Sequence, residues 1–318
     1  MQGKKIVVLG TGGTIAGTLS GPAGGYVAAQ KAVAALLAGL PLPAAVELVS
    51  EQVAQVDSKD MDLAVWQALL RRCRHWLAQP EVQGLVITHG TDTLEETAYL
   101  LQTVLAPAKP VVLTCAMRPA DAIDADGPQN LLDALAVAAE PGAHGVVAVC
   151  AGHIHSAFDV QKVHTWQLDA FSSGEAGDLG QVVRGCVVLA RNWPQSAVKY
   201  AADAIEKIVN LTAWPRVEIV LSHAAASEAT VDALVAPDVA ARFGAAPVRG
   251  LVVAATGNGT LHRALEAALQ RAAAQGVRVV RATRCAQGRV WPRPGDTWPD
   301  SQGLSPVKAR LALMLELL

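Results

Sequence analysis

Along residues 1–190 the chain alternates short, unbroken aliphatic runs with stretches whose apolar residues recur at helical spacing. The runs 6–9, 85–87, 111–113, 146–149 and 186–189 are apolar at consecutive positions rather than at every second one, the pattern of strands covered on both faces. Between them, "MDLAVWQALLRRCRHWLA" places Leu63, Trp66, Leu69, Leu70, Cys73, Trp76 and Leu77 at helical spacing, and "NLLDALAVAAE" reads likewise. Strands alternating with helices predict an α/β architecture with a mainly parallel, doubly wound sheet.

The pattern breaks at "RNWPQSAVKYAADAIEKIVNLTAWP", where polar residues and two prolines predict a linker over 191–214. A smaller unit over 215–318 then repeats the scheme, with strands expected at 217–221, 251–254 and 277–280. Its helices are "TLHRALEAALQRAAAQG", ended by a glycine, and a last one opened by Ser305 and Pro306. The expectation is two doubly wound α/β domains, a larger N-terminal catalytic one over 1–190 and a smaller C-terminal one with its own parallel sheet. A length of 318 residues agrees with two domains.

Apolar residues make up 52% of the chain and charged ones 17%, so a sizeable core is available and disorder is excluded. The formal charge of -2 is spread without a basic block or acidic tail, which argues against a nucleic-acid or membrane partner. No apolar run reaches membrane-spanning length, the start is too short for a secretory signal, and the expected location is cytoplasmic. The five cysteines Cys73, Cys115, Cys150, Cys186 and Cys285 form no CxxC pair and read as small, reduced core residues.

Ligands in open α/β sheets bind beyond the carboxyl ends of strands, and two turns there carry threonines. "VVLGTGGTIAGT" follows the first strand, but Gly10 and Gly12 are followed by Ile15 where a dinucleotide fingerprint needs its third glycine, and no phosphate loop follows. What remains is a tight turn presenting the hydroxyls of Thr11 and Thr14, with amides available to a developing oxyanion. "THGTDTLEETAYLL" follows the run 85–87, and Thr93 with Glu96 fits a capping box, which puts Thr91 and Asp92 ahead of a helix N-terminus. An ionised Asp92 beside hydroxyls and amides suits a zwitterionic amino acid. Taken alone, the first turn also reads as packing and the second as a cap.

"TGGTIAG", "HGTDTLEETAYLL", "AMRP", "DADGPQNLLDAL" and "GNGTL" resemble, in the same order and at similar spacing, the bacterial-type L-asparaginase family. The resemblance implies hydrolysis of the side-chain amide of L-asparagine to aspartate and ammonia, with no cofactor and no metal, through a threonine nucleophile and an acyl-enzyme. Thr14 matches the nucleophile and Tyr26 the mobile-loop tyrosine beside it, with "SGPAGGY" as a lid hinge. Thr91 matches the residue that activates water or the amide, Lys162 the lysine that tunes it, and Asp92 the carboxylate that binds the substrate ammonium. Without the resemblance, Lys162 would read as a solvated lysine.

Ser58 matches the serine that holds the substrate carboxylate. Lys59 departs from the pattern, standing where well-studied members often carry glutamine; a cation there repels the ammonium unless it turns to solvent or pairs with the substrate carboxylate. Asn258 matches a residue that reaches a neighbouring subunit's site, which implies a homo-oligomer, a dimer of dimers with active sites at the subunit interface; by itself Asn258-Gly259 reads as a turn. Asp296 is a candidate acid from the C-terminal domain. His153 and His155 have HxH spacing but no third metal ligand at sensible spacing and read as polar residues at a strand end. The departure at Lys59 leaves other substrates open: L-glutamine, a D-amino-acid amide, or the amide of a misacylated tRNA, the last disfavoured by the lack of a basic stripe. A non-catalytic amino-acid-binding protein is the reading from another class.

Overall fold

The structure, a computed structural model, describes residues 4–21, 25–41, 46–194 and 200–318. The chain divides into two compact units, Met1–Leu211 and Thr212–Leu318. The first contains, in chain order, β1 (Lys4–Gly12), β2 (Thr18–Leu19), β3 (Tyr26–Val27), α1 (Val33–Leu37), β4 (Val46–Val56), α2 (Leu63–Leu77), β5 (Val82–Thr88) and α3 (Leu94–Leu105). It continues with β6 (Pro110–Thr114), α4 (Gly127–Ala139), β7 (Gly145–Cys150), β8 (His153–Ser156), β9 (Gln161–Lys162), β10 (Phe171–Ser172), β11 (Gly180–Val183), β12 (Cys186–Leu189) and α5 (Ala202–Val209).

Eight strands form one sheet in the order β12-β11-β8-β7-β6-β5-β1-β4. The five from β4 to β7 run parallel, and β8, β11 and β12 extend the β7 side as antiparallel additions. Ile6, Val8, Val86, Val112 and Val147 alternate onto one face, where they bury Val33 of α1 and Leu131, Ala134, Leu135 and Ala138 of α4. Helices α2 and α3 lie against β5 and β7, and Trp66, Leu69, Leu70 and Cys73 are the buried stripe of α2. Its start is fixed by Asp62, whose Oδ1 accepts the Val65 amide at 2.9 Å.

The apolar runs expected to be strands at 6–9, 85–87, 111–113 and 146–149 lie inside β1, β5, β6 and β7. The run 186–189 is a strand too, but at the sheet's edge: Cys186 and Val188 are exposed, so it is not covered on both faces. Strand β4 went unread because its polar residues, Glu47, Ser50, Glu51, Gln52 and Gln55, break any continuous apolar run, as suits an edge strand. The expected linker 191–214 contains α5; Gln67 of α2 donates to the Ile208 and Leu211 carbonyls at 3.2 and 2.8 Å. Residues 195–199 of that segment lie outside the described residues.

The second unit contains β13 (Arg216–Leu221), α6 (Ala229–Val235), α7 (Pro237–Arg242), β14 (Val248–Ala255), α8 (Arg263–Ala274), β15 (Arg278–Thr283) and α9 (Pro306–Glu316). Its three strands are parallel in the order β13-β14-β15. Val220, Leu251, Val253 and Val279 bury Val231 of α6 and Leu265, Ala268 and Leu269 of α8. On β14, Gly250 admits α9 so closely that a Cβ would lie 2.7 Å from Leu313 Cδ2.

The α4 face holds the central strands in place. Leu131→Ala, which removes a side chain only 1% exposed in that core, is expected to cost about 2–5 kcal/mol of stability, read as a lowered urea midpoint with an unchanged slope.

Candidate active site

The candidate residues of the first unit gather at the carboxyl ends of β1, β4 and β5. After β1 the chain turns through Gly12 (φ 107) and Gly13 (φ 80) into a single 3-10 turn, Thr14–Ala16. Both glycines occupy backbone conformations that side chains oppose, and Gly13 N is tied to the Val56 carbonyl at 2.9 Å. Thr14 is buried, and its hydroxyl donates to the Tyr26 hydroxyl at 3.2 Å. Tyr26 sits on β3, which pairs with β2 as a short ribbon. The ribbon is pinned from outside: Asp121 accepts the Leu19 amide at 2.9 Å and the Ala120 amide donates to the Gly17 carbonyl at 3.0 Å. Residues 22–24 of the expected lid hinge lie outside the described residues.

Thr11 does not present its hydroxyl to a ligand. It is buried and donates to the Thr88 carbonyl at 2.9 Å, joining β1 to the second threonine turn.

In that second turn Thr91 is buried and Asp92 is half exposed. Lys162, on β9, sends its ammonium to Thr91 Oγ1 at 2.8 Å and to Asp92 Oδ1 at 2.6 Å. Its backbone is held as well, since the Lys162 amide donates to the buried Glu95 carboxylate at 2.8 Å. Glu95 therefore belongs to the site's supporting structure, although sequence reasoning singled out only its neighbour Glu96. Its signal was a carboxylate in the first turn of α3 directly after Asp92. The expected capping box is not formed: Thr93 makes no side-chain cap, and its hydroxyl donates to the Ser58 carbonyl at 2.8 Å.

Ser58 opens a 3-10 turn after β4 and is buried. Its Oγ accepts the Asp92 amide at 3.2 Å, which leaves the hydroxyl hydrogen available to an anionic ligand. Lys59 points the other way: its side chain is 61% exposed, and its ammonium is held by Asp57 at 2.7 Å and Asp60 at 3.0 Å. The hydrogen bond to Asp57, then that to Asp60, raises its pKa.

Beneath the second turn, His89 is fully buried, and burial lowers its pKa to about 4. Its Nδ1 lies 2.7 Å from the Gly90 carbonyl, an acceptor, so Nδ1 carries the hydrogen. Nε2 then accepts from Thr97 Oγ1 at 2.9 Å, and Thr97 in turn accepts from Trp66 Nε1 at 2.9 Å. Burial keeps His89 neutral in this thread.

The remaining candidates are committed elsewhere. In the second unit, Asn258 clamps Trp291, accepting its amide at 2.7 Å and donating to its carbonyl at 3.1 Å. Asp296 is paired with Arg281 at 2.7 Å and accepts the Arg293 amide at 2.7 Å; the Arg281 hydrogen bond lowers its pKa. His153 and His155 share Asp178, at 2.7 and 3.1 Å, and burial lowers the pKa of His155.

Thr14 with Tyr26, and Thr91 with Lys162 and Asp92, thus form two hydroxyl centres on turns that touch. Comparison with known proteins gives the family. The family model "Asparaginase, N-terminal" matches residues 5–195, and that of the "Glutaminase/Asparaginase C-terminal domain" matches residues 216–318. The chain is similar to L-asparaginase 2 of Bacillus subtilis, with 38% identity over 98% of this chain and 82% of that one. It is similar also to a glutaminase-asparaginase of Pseudomonas fluorescens, with 36% identity over 98% of this chain and 86% of that one. A crystal structure of a probable cytoplasmic L-asparaginase from Campylobacter jejuni superimposes with a TM-score of 0.85 at 34% identity, covering 99% of this chain and 95% of that one.

His89 makes the turn acid-sensitive. A histidine whose pKa falls on folding withholds a proton that the unfolded chain binds, so stability is full above the unfolded value of about 6.5 and declines toward the folded one. With a folded pKa of about 4, the loss expected across that window is on the order of 3 kcal/mol. It is measured as the denaturation midpoint against pH, and His89→Gln should flatten that part of the curve.

Proposed function

The chain belongs to the asparaginase family, and on that premise we propose that it hydrolyses L-asparagine to aspartate and ammonia through a covalent ester on Thr14. The observation that carries the mechanism is the pairing of Thr14 with Tyr26 at 3.2 Å on one turn and of Thr91 with Lys162 at 2.8 Å on the other. A threonine hydroxyl is a poor nucleophile until a neighbour takes its proton, and the Tyr26 oxygen accepts that hydrogen bond.

In the first half-reaction Thr14 Oγ1 attacks the amide carbon, its proton passes by way of the Tyr26 hydroxyl to the amide nitrogen, and the tetrahedral intermediate collapses as the C–N bond breaks and ammonia leaves. In the second, a water activated at Thr91 attacks the ester, and one of its protons passes to Thr14 Oγ1 as the bond from that oxygen to the acyl carbon breaks, which frees aspartate and regenerates the hydroxyl. Lys162 donates to Thr91 Oγ1 and so stabilises negative charge on that oxygen. Asp92 holds the substrate ammonium and Ser58 its carboxylate. No cofactor and no metal enters these steps.

The same reading includes a cytoplasmic location, as in the Campylobacter jejuni protein's description. It also includes a homo-oligomer, a dimer of dimers, in which Asn258 serves a neighbouring copy's site. L-Glutamine is the second substrate reading, favoured by the relatives named glutaminase-asparaginase.

Thr14→Ala removes one hydroxyl from a turn built by its glycines. It is expected to lower ammonia release from L-asparagine by on the order of 10⁴-fold or more while leaving the circular dichroism spectrum unchanged; a near-normal rate would refute the nucleophile. Lys59→Gln is expected to leave kcat/KM for L-asparagine within about threefold, because the ammonium it removes is bound to Asp57 and Asp60. A sharp gain would instead mean that Lys59 repels the substrate ammonium.

A further inference from the structure

Cys115 and Cys150 are separated by 35 positions and carry no cysteine motif, yet the sheet brings them together. Strands β6 and β7 are parallel neighbours with Thr114 beside Val149, so the next residue of each, Cys115 and Cys150, stands abreast on one face of the sheet. Neighbouring strands lie about 4.7–4.9 Å apart, within the Cα separation of roughly 4.4–6.8 Å that a disulfide spans. The two sulfurs are 3.1 Å apart, and both residues are buried, at 1% and 3% exposure. Closure to a bond of about 2.05 Å requires an approach of about 1 Å.

The strand ends around them are already fixed to one another. Thr114 donates across to the Val149 carbonyl at 2.9 Å, and Asn130 bridges the pair, donating to the Cys115 carbonyl at 3.0 Å while accepting the Ala151 amide at 2.9 Å. Fixed backbones with facing sulfurs leave the thiols little to reorganise.

We propose that Cys115 and Cys150 form an oxidisable dithiol that hydrogen peroxide converts to an internal disulfide. One sulfur attacks a peroxide oxygen, forming S–O and breaking O–O with release of water. The second sulfur then attacks the first, forming S–S and breaking S–O with release of a second water. Both thiol hydrogens end in water, so two thiols and one peroxide give one disulfide and two waters. The hydrogen bond to Cys150, together with burial, holds the Cys115 thiol protonated well above its usual range. The reaction is therefore slow and waits on the access of peroxide to the buried pair. Cys186 and Cys285 are exposed and supply internal controls that react first.

Closure bears on the catalytic turn through one bond, since the Thr114 carbonyl accepts the His89 amide at 2.8 Å. The first test is covalent and independent of the assigned reaction. The full chain is incubated with hydrogen peroxide well beyond the consumption of Cys186 and Cys285, until the peptide products no longer change, then unfolded in iodoacetamide, digested and read by mass spectrometry. The expected product is one cross-linked pair of peptides containing Cys115 and Cys150, lighter by two hydrogens and separated by dithiothreitol. The thermal midpoint should rise by roughly 5 °C on oxidation, as for a bridge closing a loop of this length, and should not rise in Cys150→Ser. Alkylated, unlinked Cys115 and Cys150 at that end point, or either one linked to a different cysteine, would overturn the proposal. If the link forms and ammonia release is absent before and after it, the dithiol stands and the assigned reaction falls.

Discussion

Gly13 and Gly90 meet backbone to backbone, and the candidate site depends on that approach. A Cβ on Gly13 would overlap the Gly90 amide, and one on Gly90 would overlap the Ser58 hydroxyl. Gly13 is required a second time by its φ of 80 and ψ of -175, a region essentially closed to other residues. Neighbouring parallel strands normally end with side chains between them. Here the side chains are deleted at the point of contact, so the turns that carry Thr14 and Thr91, each one residue farther on, are brought together. The conformation of one turn and the space for the other are satisfied by a single pair of glycines.

Charge is organised around that contact by anchoring one lysine at both ends. The Lys162 ammonium lies between Thr91 and Asp92, and its backbone amide is held by Glu95. A free lysine side chain carries about 2 kcal/mol of rotamer entropy, and placing it on a two-residue strand outside the main sheet would ordinarily leave that freedom intact. Thr91 and Asp92, just before helix α3, remove it by holding the ammonium, while Glu95 in the first turn fixes the strand through its amide. Asp92 also balances the ammonium's charge, so the second hydroxyl centre has a donor of fixed position.

Much of this was legible in the sequence, for reasons that differ from element to element. Central strands such as β5 and β6 announce themselves because both faces are covered and every residue is apolar. Strand β4 does not, because edge strands mix in polar residues, and the same rule explains why 186–189 was read as a strand but placed too deep. The threonine turns stood out through their glycines and their position before helices, whereas the role of Lys162 rested on the resemblance: no local pattern marks a lysine whose partners lie about 70 residues away in sequence. Thr93 fitted a capping pattern and instead bonds Ser58, since pattern alone does not say which way a side chain turns. Cys115 and Cys150 are the extreme case, adjacent only by virtue of strand order.

The departure at position 59 shows how a local turn can insulate a site from its own sequence. A 3-10 turn sends consecutive side chains in different directions. Ser58 is turned inward and buried while Lys59 is turned outward between Asp57 and Asp60. Those carboxylates neutralise the added cation where it stands, and the capping bond from the Lys59 amide to Asp57 fixes the direction in which the side chain leaves. Whatever glutamine contributes at this position elsewhere, this chain supplies no group there. In the proposed reaction, recognition of an amino acid's two charges therefore falls on Asp92 for the ammonium and on the Ser58 hydroxyl for the carboxylate. Their two turns are joined by the bonds from the Asp92 amide to Ser58 Oγ and from the Thr93 hydroxyl to the Ser58 carbonyl, so short links rather than a longer side chain set the spacing between the two recognition points.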